Sequence, residues 1–211
     1  MGGTTPGIVV GMGDNFEVAV DVEAAAEEAP GLASTIIEWM TVEGIIHATP
    51  TDDRDVWGAG YYRPGPNYQV TVALTDDSFA VEFALSRLGR LQVTTGRTVF
   101  YPIQGVPGPA VCPLCGYSVA LTDSKTGQMT DDWQLFSNAL ADWHDGGPGL
   151  VDCPSNGSAI ALNDWRWQGD WPIAVGQLGF TFWNWPVLHP NFVGQIGREL
   201  GHRVVVTRGK L

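Results

Sequence analysis

Cys112-Pro113-Leu114-Cys115-Gly116 recurs in frame as Cys153-Pro154-Ser155-Asn156-Gly157, and these two pentapeptides decide how the chain between and around them folds. A Cys-x-x-Cys turn aims two thiolates at one tetrahedral ion. The glycine that follows permits the tight turn and leaves backbone N–H groups directed at sulfur. Two such turns complete a four-sulfur site. In the second copy Asn156 stands where the fourth thiolate belongs, and a neutral amide is a poor zinc ligand beside cysteine or histidine. The retention of Pro154 and Gly157 around it predicts that the turn keeps its shape whatever happens to the ion. Three cysteines, two of them three positions apart, suit metal ligation in a reducing compartment better than a disulfide framework.

Over roughly residues 110–160 this double motif resembles the CPxCG zinc-ribbon proteins. The resemblance implies zinc as the cofactor and Cys112, Cys115 and Cys153 as ligands. Three completions of the site are open. His144, or a carboxylate such as Asp145 or Asp152, supplies the fourth ligand; water fills an open position of the kind catalytic zinc uses; or the ion has been lost and aromatic packing holds the turns. Among the chain's own donors His144 is the candidate carried forward. The chain's ending, Phe182-Trp183-Asn184-Trp185-Pro186 through Leu200-Gly201-His202-Arg203 to Leu211, resembles a set of bacterial proteins and brings no activity with it.

Outward from the knuckles the pattern is α+β: a mixed or antiparallel sheet with packed helices and the embedded knuckle pair. Phe16 to Val22 alternates with period 2 and predicts a strand. Pro30 suits the first turn of a helix over Gly31 to Glu43, with Leu32, Ile36, Trp39 and Met40 on one face and Gly44 as the stop. Tyr68 to Leu74 reads as a strand, Ser78 to Leu88 as a short helix, and Leu91 to Tyr101 as a hairpin turning near Thr95-Gly96. Between the knuckles, Trp133, Phe136, Leu140 and Trp143 recur at helical spacing. A strand follows around Leu178 to Trp183, then a helix over Pro190 to Leu200 closed by Gly201, and a terminal strand over Arg203 to Thr207. The expected organisation is an acidic α+β region over 1–110 and a ribbon-like, Trp-rich region over 111–211, packed as one compact unit.

The 211 residues are 44% hydrophobic and 16% charged, enough apolar material for a packed core. The net charge is -12, with 14 acidic and 5 basic side chains in residues 1–110 and 9 and 6 in 111–211. That field disfavours phosphate backbones and favours a basic protein partner, so nucleic-acid binding is not expected. No segment approaches a membrane span, and the N-terminus lacks a secretory signal, so a cytoplasmic location is expected.

Other constellations are weaker. Seven of nine tryptophans fall between Trp133 and Trp185; the Trp165-x-Trp167 and Trp183-x-Trp185 pairs place rings on one face of a strand, as core or as a stacking platform. The histidines lack the spacing of a histidine-based metalloenzyme, and no phosphate loop or nucleophile elbow occurs. Asp52, Asp53 and Asp55 beside Tyr61, Tyr62 and Arg63 suggest a partner-binding loop. The function expected is a non-enzymatic protein-binding module, such as an immunity protein or inhibitor of a basic toxin or enzyme. The alternatives are a zinc-dependent hydrolase with an open three-cysteine site and a structural component of a larger assembly.

Overall fold

The computed structural model describes residues 14–51, 60–73, 89–169 and 172–211. The expected helix over Ser78 to Leu88, the carboxylates Asp52, Asp53 and Asp55, and Trp171 lie outside the described residues.

The alternation at Phe16 to Val22 forms strand β1 (Asn15–Asp21), and the first helical pattern forms α1 (Ala29–Val42), which buries Ala29, Ala33, Ile36 and Met40. Leu32 and Trp39 flank that stripe and are partly buried against it. Strand β2 (Arg90–Phe100) follows. After a long excursion come β8 (Ala174–Trp183), the helix α3 (Pro190–Leu200) and β9 (Val204–Lys210). These four strands form one antiparallel sheet in the order β2-β8-β1-β9. With β2, β8 and β9 as its second, third and fourth strands, the sheet is a split β-α-β arrangement of the β-α-β-β-α-β type. The sheet draws strands from both sides of residue 110.

The helices cover one face. Trp39 of α1 stacks on Phe192 of α3 at 6.0 Å between ring centroids, and Phe182 of β8 meets Phe192 edge-on at 5.8 Å. The His189 imidazole accepts the Asn191 N–H at 3.1 Å to open α3, and Gly201 closes it with φ 73°. On the opposite face Phe16, Val18 and Val20 pack with Phe100 and Ala174. With both faces covered, the inner strands β1 and β8 are buried almost throughout rather than on alternate residues.

Two carboxylates on β1 face the helix layer and each is satisfied. Glu17 accepts the Leu188 N–H at 2.7 Å and lies 3.4 Å from Arg208; burial nonetheless pushes its carboxyl above the ordinary range. Asp21, fully buried, accepts the Glu23 and Ala24 N–H groups and lies 2.8 Å from His202 Nδ1. That hydrogen bond, outweighing the burial that opposes charging, raises the His202 pKa above 6.5. Because the folded value is raised, the stabilisation is fully present below the unfolded value of about 6.5 and is lost as pH rises through the folded one. Urea titrations of wild type and His202→Gln should therefore differ most at mildly acid pH and converge as the solution becomes alkaline. A gap that widened with pH would contradict this ion pair.

Between β2 and β8 the chain builds a second layer. Strands β3 (Ala110–Val111), β4 (Ser118–Val119) and β7 (Arg166–Trp167) form a three-stranded sheet in the order β4-β3-β7. Strands β5 (Leu150–Asp152) and β6 (Ala159–Ala161) form a hairpin, and α2 (Trp133–His144) lies between the two. Phe136 of α2 is the centre of this layer, meeting Trp165 at 5.0 Å and Trp167 at 5.5 Å, both edge-on. Val99 and Val175 of the large sheet join the same cluster. Two polar ties reinforce the junction. The Asn163 amide both donates to and accepts from Val175, and Arg97 of β2 lies 3.7 Å over the Trp143 ring while donating to the carbonyls of Trp143 and Gly147.

Three expectations are corrected. Residues 91–101 are not a hairpin but one strand, because β8 offers a long partner about eighty residues away. Gly96, at φ 99°, accommodates a bulge in which three steps on β2 oppose two on β8. Tyr68–Thr71 is a 3-10 turn rather than a strand: the Thr71 hydroxyl bonds the Tyr68 carbonyl at 2.6 Å and Val70 is 65% exposed. Trp183 and Trp185 do not share a face. Strand β8 ends at Trp183 and Asn184 turns the chain at φ 55°, so Trp183 packs with Phe16 while Trp185 enters the helix-side core. Trp165, Trp167, Trp183 and Trp185 thus serve two layers and three apolar clusters rather than one platform.

Candidate metal centre

The two pentapeptides fold into matching turns, one at the tip of the β3–β4 hairpin and the other at the tip of β5–β6. In the first, the Cys112 N–H donates to the Tyr117 carbonyl at 2.9 Å and the Gly116 N–H to the Cys112 carbonyl at 3.0 Å. In the second, Cys153 donates to Ser158 at 2.9 Å and Gly157 to Cys153 at 2.8 Å. Gly116 and Gly157 sit at φ 73° and 70°, a left-handed conformation that a side chain would strain. Burial repeats as well: Cys112 and Cys153, first in each turn, are buried in the cluster around Phe136, whereas Cys115 and Asn156, fourth in each turn, are exposed.

The turns bring the three sulfurs together, all within 4.8 Å of one another. Cys115 Sγ and Cys153 Sγ are 3.7 Å apart. A tetrahedral ion with metal–sulfur bonds of about 2.3 Å separates its sulfurs by about 3.8 Å, so the Cys115–Cys153 distance is close enough for both sulfurs to bind one ion. The backbone is aimed at sulfur in the manner the glycines suggested. Burial pushes the Cys112 thiol up, but the N–H groups of Cys115 and Leu114, with help from the neighbouring thiols, hold its pKa below the ordinary 9.0. At Cys115 the Tyr117 N–H favours the thiolate; burial and the adjacent Cys112 and Cys153 sulfurs outweigh it and push the thiol above 9.0. The two neighbouring sulfurs are thus shifted in opposite directions. A cation removes that conflict, and its binding would release protons.

Asn156 has another role. Its Oδ1 accepts the Ser158 N–H at 3.0 Å, two residues on, which is the bond that the Cys115 sulfur accepts from Tyr117 in the first turn. The amide keeps the turn closed by its own oxygen. The signal for this in the sequence was the choice of asparagine, the residue best able to imitate a turn-closing acceptor. The N–H donors of Leu114 and Tyr117 carried no side-chain signal at all.

His144 is the last residue of α2 and exposed; it is not in the set of ligand atoms within 4.8 Å of one another, and neither are Asp145 and Asp152. Among the described residues that set is the three cysteines. Of Tyr61, Tyr62 and Arg63, Tyr62 pairs with the outer edge of β2, whereas the carbonyls of Tyr61 and Arg63 accept the N–H groups of Thr51 and His47. Tyr62 exchanges both backbone hydrogen bonds with Leu91, at 2.9 and 2.8 Å, and packs on the helix-side core. The Arg90 guanidinium lies 5.4 Å from the Tyr61 ring centroid, and Arg63 is exposed. No helix among the described residues is long and apolar enough to cross a membrane. Compared with known proteins, the chain has no match among family models, curated proteins or solved structures.

Proposed function

We propose that Cys112, Cys115 and Cys153 hold a zinc ion that staples the two knuckles together as in a zinc ribbon, and that the protein acts as a non-enzymatic protein-binding module. The observation that carries the metal reading is the sulfur cluster itself, formed from two matching turns 41 residues apart, with its three sulfurs within 4.8 Å of one another. A structural role for the ion is supported by the burial of Cys112 and Cys153 inside an apolar cluster. It is also supported by the all-sulfur character of the set among the described residues, since thiolate-rich zinc sites are mostly structural. Thiolates suit zinc among the common divalent ions.

The partner we propose is a basic protein, such as a toxin or enzyme that this chain would restrain as an immunity protein or inhibitor. Support comes from the net charge of -12 and from the aromatic strip Tyr61 to Arg63, paired with the sheet edge through Tyr62, beside three acidic residues in sequence. The test is capture from an extract of the native host by the full chain and by an Asp52→Lys, Asp53→Lys, Asp55→Lys variant. A basic partner retained by wild type and released by the variant is the expected result. Equal retention would sink this binding face.

A further inference from the structure

We propose that the metal centre is open at its fourth vertex on the solvent side, and that an exchangeable neutral donor of the imidazole class, from outside the chain, binds there. This rests on the metal reading above and extends it from the three sulfurs to the ligand they lack.

The position of the vertex follows from the equivalence of the turns. Each turn directs its first residue inward, Cys112 and Cys153, and its fourth residue outward, Cys115 and Asn156. The missing sulfur therefore belongs beside Cys115, on the exposed side, and not in the core. The Asn156 oxygen, which accepts the Ser158 N–H at 3.0 Å, is a neutral amide donor and a poor zinc ligand beside thiolate or imidazole, so it yields the vertex to a stronger donor. Its remaining amide nitrogen carries hydrogens and no available lone pair. None of the carboxylates or imidazoles among the described residues joins the sulfurs, His144 included. An ion held by three thiolates in this geometry keeps one coordination position, and solvent reaches it.

Charge selects the class of ligand. Three thiolates on a divalent ion leave a net charge of about -1. An anionic ligand arriving from solvent is repelled by that centre and by a chain at -12, a cost that a cysteine tethered in the turn offsets by its high effective concentration. A neutral nitrogen donor meets no such repulsion, and imidazole is a good ligand for zinc and for cobalt. Water is the resting occupant it would displace.

The experiment uses the full chain loaded with Co(II), whose thiolate charge-transfer band reports the sulfurs and whose visible d–d bands report the complete coordination shell. Imidazole is then titrated into wild type, Asn156→Cys and His144→Ala. The expected result is a saturable shift of the d–d bands in wild type and in His144→Ala, with the charge-transfer band retained. In Asn156→Cys, closed by a fourth thiolate, the shift should be abolished and cobalt should bind more than about tenfold tighter. A normal charge-transfer band with d–d bands indifferent to imidazole would overturn the open vertex while leaving the three-cysteine centre standing. A response seen only after His144→Ala would overturn it too, by assigning that position to His144. Loss of the charge-transfer band on adding imidazole would also overturn the proposal, because the donor would then strip the ion rather than complete its shell. Absence of that band from the start would instead remove the metal reading itself.

Discussion

Changing Cys153 to serine is expected to weaken zinc or cobalt binding by well over the roughly 10–100-fold that loss of a mere outer-shell partner costs a metal site. Cys153 is buried, lies 3.7 Å from the Cys115 sulfur, and is the sole sulfur contributed by the second turn. Its removal leaves only the Cys-x-x-Cys pair of the first turn, a chelate that no longer bridges the two hairpins. The metal therefore loses both a ligand and its reason to couple β3–β4 to β5–β6. Competition against a colorimetric chelator measures the affinity, and resistance of the 101–173 segment to protease with and without zinc measures the coupling. Wild type should gain protection from the metal and Cys153→Ser should gain none. Equal affinity in the two proteins would place the ion elsewhere.

Phe136→Ala is expected to cost about 3–5 kcal/mol of stability, the usual range for emptying a large buried aromatic site. Phe136 is fully buried and touches the two tryptophans, Trp165 and Trp167, that close the knuckle layer over it. The same apolar cluster contains Cys112 and Cys153. The cavity should thus loosen the metal centre as well as the core, and saturating zinc should recover part of the lost stability by binding the folded state. Urea unfolding followed by tryptophan fluorescence reads the effect. A loss below about 1 kcal/mol would show that this ring is not the keystone of its layer.

The elements with strong periodicity were legible. Alternation located β1, and apolar residues at helical spacing located α1, α2 and α3 to within a few residues. Sheet order was not. The pairing of Phe16 with Trp183 joins residues 167 apart, and nothing local to either strand specifies its neighbour. The same blindness turned β2 into an expected hairpin. Thr95-Gly96 carries a turn signal, and only the presence of β8 alongside makes it a bulge. Trp183 and Trp185 failed for a smaller reason: a period of two holds only while the strand lasts, and Asn184 ends it.

At the cysteine cluster the in-frame repeat pointed to the meeting of Cys115 and Cys153, 38 positions apart. It worked because each turn closes on itself through bonds within six residues, so the local sequence holds its full specification. His144 was suggested only by its place between the knuckles. A helix end has a direction set by packing, and α2 orients itself by burying Phe136 and Ala139, which leaves its last residue exposed. The role of Asn156 as a turn-closing acceptor became visible only with the hydrogen bond to Ser158 in place.

The most direct test of a three-thiolate zinc centre is zinc content together with zinc X-ray absorption on the full chain, purified without metal-affinity chromatography. The expected result is one zinc per chain with three sulfur neighbours at about 2.3 Å and one lighter neighbour at about 2.0–2.1 Å. Protein free of zinc after purification, unable to take it up, and with all three thiols open to a chromogenic disulfide reagent in the folded state would contradict it.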